Sequence, residues 1–200
     1  MNTVQQRTYP APPVDTGEIL RYAGSKTADP QLIALLSECL AEAERRLTYQ
    51  VCFWKLPVTV REDVCDFGVA SLRSRDLAAY LSRSSSAVLF AATVGVEFDR
   101  LLLRSSRLSP ARALLLQAIG AERIEALCNA FCDDIAKSRA RFSPGYGDLP
   151  LSAQRELFRL LRPEKHIGVT LNDSMLMSPS KSVTAIVRPA GEMREVSYEV

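Results

Sequence analysis

Apolar residues recur at helical spacing after Asp29-Pro30, where Leu32, Leu35, Leu36, Cys39, Leu40, Ala43 and Leu47 fall three or four apart. Asp29 is a capping residue and Pro30 suits the first helical position, so a helix is expected to start there. Tyr49 to Val60 is rich in β-branched and aromatic residues and breaks near Pro57, which reads as a strand. Val64 to Val69 alternates and reads as a second strand. Ser74 opens a short helix through Leu81. Ser86 to Gly95 is a continuous apolar strand closed by glycine. Helical pattern returns from Val96 to about Arg107. Ser109-Pro110 then opens the longest helix, with Leu114, Ala118, Ile119, Ile124, Leu127, Cys128, Phe131 and Ile135 on its apolar face. That helix is expected to run to about Lys137, with a possible break at Gly120. A further helix is expected over 152–161, followed by strands near 169–171, 182–188 and 194–200. Helices and strands interleave without a regular βαβ rhythm, so the expected fold is α+β, a mostly antiparallel twisted sheet with flanking helices.

Residues 1–14 are polar and carry Pro10, Pro12 and Pro13, which suggests a flexible or extended leader ahead of a single domain over 15–200. The chain has 200 residues, 47% hydrophobic and 24% charged, enough for a real core and inconsistent with disorder. A net charge of +2, with basic residues spread along the chain, gives no case for a nucleic-acid partner. The longest apolar runs are too short to span a bilayer. The first residues lack signal-peptide organisation, so a cytoplasmic protein is expected. The five cysteines, Cys39, Cys52, Cys65, Cys128 and Cys132, are an odd number among apolar neighbours and read as core thiols. Cys128 and Cys132 share a helix face, but no second cluster completes a metal site. The single histidine, His166, reads as a strand-edge or loop residue. No glycine-rich dinucleotide fingerprint or Walker loop occurs.

Between the two last helices lies Arg141-Phe142-Ser143-Pro144-Gly145-Tyr146-Gly147-Asp148-Leu149-Pro150. Two prolines and two glycines forbid helix or regular strand here. The stretch presents a fork-shaped cation, an aromatic face and exposed N–H groups together. That set suits a small ligand with a carboxylate and a flat ring. On residues alone, an arginine closing a helix C-terminus is the favoured reading of Arg141.

The Arg-x-x-x-Gly-Tyr spacing resembles the S-adenosylmethionine-binding loop of the reactivation domain of cobalamin-dependent methionine synthase. His166-Ile167-Gly168-Val169-Thr170-Leu171 and Asn172 to Pro179 are similar to the family's segment downstream, and Ser180 to Thr184 to its small-residue strand. Ala121 to Leu127 resembles the helix before the loop. The resemblance covers about 87–188, and the first 85 residues match poorly. It implies that Arg141 meets the ligand carboxylate, that Ser143 and Gly145 offer backbone groups to adenine, and that Tyr146 packs near the sulfonium. Glu125 stands where the family supplies a carboxylate, and it reads equally as a solvated helix-face residue. Asp15 and Asp66 are two places for a further acidic residue, neither of them firm. Asp173-Ser174 resembles a turn supporting the pocket, while Met175 and Met177 read as core packing. Where the family has an aromatic pair, this chain has Ile186-Val187.

The resemblance implies a reactivation module that binds S-adenosylmethionine and supports reductive methylation of cob(II)alamin. It would act in trans on a methionine synthase lacking its own reactivation domain, with an electron donor such as a flavodoxin. Cobalamin would enter only through that partner, and neither a catalytic side chain nor a metal ligand is expected of the chain itself. The alternative is a non-catalytic S-adenosylmethionine sensor or assembly factor for a corrinoid protein. A third reading is an unrelated small-molecule-binding domain.

Overall fold

The structure is a computed structural model, and it describes residues 3–25, 29–136 and 138–190. The expected strand over 194–200 lies outside these residues, as does the expected helix end at Lys137. Among the described residues, four strands form the main sheet in the order β1 (Gln5–Thr8), β2 (Gln50–Pro57), β6 (Ser86–Thr93), β9 (Ser182–Val187). A small sheet joins β3 (Thr59–Arg61), β4 (Val64–Asp66) and β5 (Ser71–Arg73), and a hairpin pairs β7 (Thr170–Leu171) with β8 (Met177–Ser178). Every described strand pairing is antiparallel. The helices are α1 (Thr16–Tyr22), α2 (Pro30–Glu44), α3 (Arg75–Leu81), α4 (Val96–Leu108), α5 (Pro110–Ile135), α6 (Gln154–Leu161) and α7 (Pro163–His166). The fold is α+β, as the sequence pattern implies.

Period-two alternation explains the layers. In β6, Val88, Phe90 and Ala92 belong to one hydrophobic cluster, and Ala87, Leu89 and Ala91 belong to another. The same split divides Val51 and Phe53 from Cys52 and Leu56 in β2, and Ala185 and Val187 from Ile186 in β9. Residues of α1, α2, α4 and α5 fill the first cluster; residues of α3, α6 and the small sheet fill the second. Both faces of β6 are therefore covered, which is why its sequence is apolar throughout rather than alternating. All five cysteines are buried and free.

Capping fixes the helix starts. Asp29 Oδ1 accepts from the Gln31 N–H, Ser74 from Leu77 and Ser109 from Arg112. The expected break at Gly120 does not occur, and α5 is continuous from Pro110 to Ile135. A Cβ on Gly120 would lie 2.4 Å from the buried Phe98 ring of α4 and 2.9 Å from Lys181. The glycine serves close packing, not a kink.

The chain start is paired to the main sheet. Gln5–Thr8, within the stretch read as a flexible or extended leader, is extended, an edge strand in register with β2, Gln5 opposite Phe53 and Thr8 opposite Gln50. The residues after it are fastened by Arg123, which is fully buried. Its Nη1 donates to the Pro12 carbonyl at 2.6 Å and its Nη2 to the Pro13 carbonyl at 2.7 Å. Its Nε donates to Glu122 at 2.6 Å, and Glu122 also accepts the Asp15 N–H at 3.1 Å. Backbone polar groups that no sheet satisfies thus find charged partners on α5.

Candidate functional site

The run 141–150 is built as two successive turns. The Tyr146 N–H donates to the Ser143 carbonyl at 3.1 Å, with Pro144 and Gly145 between them. Proline before a glycine at φ +91° is the arrangement of a type II turn, whose third position excludes most side chains. The Leu149 N–H then donates to the Tyr146 carbonyl at 3.0 Å, while the Gly145 N–H donates back to Leu149 O at 2.9 Å. The loop's own turns therefore employ the Gly145 amide.

Both ends of the loop are fastened to regular structure. Phe142 and Ile186 exchange backbone hydrogen bonds of 2.9 and 2.8 Å, so the loop entrance extends the main sheet beyond β9. Tyr80 braces the same point, donating to the Ala140 carbonyl at 2.7 Å. At the far end Asp148 caps α3: it accepts from Ser74 Oγ and from the Arg75 N–H at 2.8 Å. Those donors, the Ser74 hydroxyl foremost, lower the Asp148 carboxyl from its ordinary value to about 2. Gly147 lets α3 come this close, since a Cβ there would sit 2.2 Å from Asp76 Oδ2.

Beside the loop opens a cavity of about 850 Å³, the right scale for a small molecule. Arg141, Ser143 and Tyr146 line it from the loop, Glu125 and Asn129 from α5, and Ser182, Val183 and Thr184 from β9. The hairpin turn contributes Met175, Leu176 and Met177, and α6 contributes Gln154, whose amide donates to the Met175 carbonyl at 3.4 Å. Four of the five residues singled out from sequence, Arg141, Ser143, Tyr146 and Glu125, therefore surround one space. Gly145 shapes the turn without lining the cavity.

Charge and aromatic groups are divided by depth. The Arg141 side chain is 15% exposed, and its Nη2 donates to Glu125, whose side chain is 43% exposed. Its Nη1 donates to Asn129 Oδ1 at 2.9 Å. Arg141 does not close the C-terminus of α5, which ends at Ile135; its side chain pairs instead with Glu125 and Asn129 on the cavity wall. Tyr146, 68% exposed, stands at the rim, as does Leu176, 65% exposed.

Other residues considered from sequence fall elsewhere. Asp15 lines an adjoining cavity of about 660 Å³ with Glu18, Glu122 and Asp133; Glu125, Asn129 and Arg139 line both spaces. Asp66 lies in the small sheet, where its Oδ1 accepts the Gly68 N–H. His166 closes α7. Met175 and Met177, read as core packing, also face the cavity, and Met177 packs against the second cluster as well. Ile186 and Val187 are fully buried in the two clusters, so the sheet wall of the cavity is the smaller set Ser182, Val183 and Thr184. Among the described residues, no three His, Cys, Asp or Glu side chains stand where they could hold a metal ion. No helix there is long and apolar enough to cross a membrane.

The fold and cavity define an α+β domain with a small-molecule-sized pocket between a sheet end, a turn-rich loop and a hairpin. Residues 133–197 match the family described as "Vitamin B12 dependent methionine synthase, activation domain". That segment contains the whole loop and the hairpin, and the resemblance seen in the sequence is to this same family. The structure is also similar to the "Crystal Structure of the MetH Reactivation Domain bound to AdoHcy". The TM-score is 0.68 at 16% identity, over 96% of this chain and 80% of that one. The chain therefore has the fold of a methionine synthase reactivation domain. No curated protein sequence matches the chain significantly.

Proposed function

We propose that this chain binds S-adenosylmethionine, or its demethylated product, in the cavity beside 141–150 and supports reductive methylation of a methionine synthase's cob(II)alamin. The observation that carries the reading is the cavity itself. In a chain with the reactivation-domain fold, it is walled by the one loop whose Arg-x-x-x-Gly-Tyr spacing resembles the family's ligand-binding loop. A guanidinium at its floor suits a carboxylate, and Tyr146 at its rim offers a π-face to a sulfonium. Gly145 and Pro144 hold the backbone turn that places both.

The chemistry asked of the chain is alignment. S-adenosylmethionine brings an already activated methyl group, so the protein needs no general base or covalent nucleophile; it must hold the donor in one pose and keep the methyl accessible. The open rim at Tyr146 and Leu176 fits that demand. The corrin belongs to the partner, a cobalamin-dependent methionine synthase without its own reactivation domain, on which the chain acts in trans in the cytoplasm. An electron donor such as a flavodoxin completes the system. The synthase must leave to resume turnover, so the interface is modest in area and partly polar.

Calorimetry with S-adenosylmethionine and S-adenosylhomocysteine tests the ligand. Binding of either, weakened by about 1.5–3 kcal/mol in Arg141→Ala, is the expected result, the scale of a charge-assisted hydrogen bond. No binding of either compound, or equal affinity in the variant, would remove the cavity from the account.

A further inference from the structure

We propose that Met175 and Met177 are an oxidation site, and that conversion of their thioethers to sulfoxides shuts the cavity to its ligand. The inference rests on the reading of this cavity as the ligand site. Sulfur is found in two settings in the described residues. The five cysteine thiols are buried, and burial raises each of them above its ordinary value. Little of the thiolate that peroxides attack is therefore present. Met175 and Met177 are only partly buried, and both line the cavity. A thioether reacts without losing a proton, so access decides, and these two sulfurs are accessible.

The hairpin turn fixes where the pair stands. Met175 adopts φ +63°, a conformation that costs any residue with a Cβ. Its N–H donates to the Asn172 carbonyl at 3.0 Å, and the Leu176 N–H donates to Asn172 Oδ1 at 2.9 Å. From α6, the amide of the buried Gln154 donates to the Met175 carbonyl. Met177 lies opposite Leu171 in the β7–β8 pair and packs against the second cluster. The backbone is thus held from several sides, and a change at either sulfur is felt in the cavity.

Hydrogen peroxide transfers one oxygen atom to the sulfur. The O–O bond breaks, the S–O bond forms, sulfur gives up two electrons, and water leaves. A polar, chiral group then stands where a flexible apolar one did. The hairpin's share of the cavity wall, Met175, Leu176 and Met177, has no side-chain donor for the new oxygen. A ligand ring packed on that wall would cover a polar group without a partner. Methionine sulfoxide reductases, one for each epimer, reverse the step. Ligand binding is withheld while the sulfoxides persist and returns on repair.

The test treats the chain with hydrogen peroxide at doses that oxidise a free methionine peptide. Peptide mass spectrometry maps the sulfoxides, and calorimetry measures S-adenosylhomocysteine binding on the same samples. Met175 and Met177 should be oxidised, and affinity should fall at least about tenfold, the scale of a polar group covered without a partner. Both reductases together should restore it, which makes the comparison within the unmodified chain. The double variant Met175→Leu with Met177→Leu, close in side-chain volume, should keep its affinity through the same treatment although it retains Met1 and Met193. Sulfoxides at both positions with unchanged affinity, no sulfoxide at either, or an equal loss in the double variant would each overturn the inference and leave the site reading intact. Failure of the untreated chain to bind S-adenosylhomocysteine would overturn the site reading, and the inference with it.

Discussion

Arg123 is the residue that fastens the segment around Pro12 and Pro13 to α5, and Arg123→Met is the change that tests this. Methionine keeps much of the side-chain volume and removes the charge. Lost with it are the hydrogen bonds to Pro12 O and Pro13 O and both contacts to Glu122. Glu122, 4% exposed, would remain as a buried carboxylate holding only the Asp15 N–H. Breaking one side of a buried ion pair costs about 3–5 kcal/mol. That is a large part of the roughly 5–15 kcal/mol that typically holds a domain together. At about 2–4 °C per kcal/mol for a chain of this size, the melting temperature should fall by about 6–20 °C. Circular dichroism during heating measures the fall. Limited proteolysis of the native state should cut within residues 8–15 faster than in the parent, because that segment loses its anchor. The double change Glu122→Gln with Arg123→Met should recover at least about 1 kcal/mol, since the stranded carboxylate is gone. A single variant within about 1 kcal/mol of the parent, with unchanged cleavage, would refute the role given to Arg123.

Gly120→Ala gains about 1 kcal/mol of helix propensity but drives a methyl into the buried Phe98 ring, so net destabilisation of about 1–2 kcal/mol is expected by urea unfolding. Gly145→Val places a β-branched residue at φ +91°, and should weaken S-adenosylhomocysteine binding at least tenfold while costing about 1–3 kcal/mol of stability. Asp148 has its carboxyl lowered to about 2 by the Ser74 and Arg75 donors, so its contribution is fully present above about pH 4 and is lost as pH falls through about 2. Acid titration of stability should therefore be shallower over that window in Asp148→Asn than in the parent.

The helices opened by a capping residue and proline were legible because their start signals are local: Asp29-Pro30 and Ser109-Pro110 cap and seed helices in the structure as they do in the sequence. Strand β6 was legible because burial on both faces leaves an unbroken apolar run. Strand β1 was not, since Gln-Gln-Arg-Thr is exposed along its length and its pairing is dictated by β2, more than forty positions away in sequence. Gly120 misled because glycine signals both a weak helix and a close packing contact, and only the neighbouring α4 decides between them.

At the site, the turn-forming residues and Arg141 stood out by composition. The fastening of the loop to α3 through Asp148 did not, because Ser74 lies 74 positions away. Arg123 left one signal that could have been read. It falls four residues after Ile119 and four before Leu127, so an adjacent acid and base occupy the buried stripe of α5 rather than its solvent side. A charge in that register needs a partner, and its partner is the chain start.

The most direct measurement mixes the protein with the cob(II) form of a truncated methionine synthase, a reductant and S-adenosylmethionine, and follows methylcobalamin by absorbance. Methylcobalamin should form faster when the chain is present, and the gain should vanish with Arg141→Ala. Formation no faster than in its absence, with flavodoxin and with chemical reductants alike, would contradict the reactivation reading and favour a ligand sensor in its place.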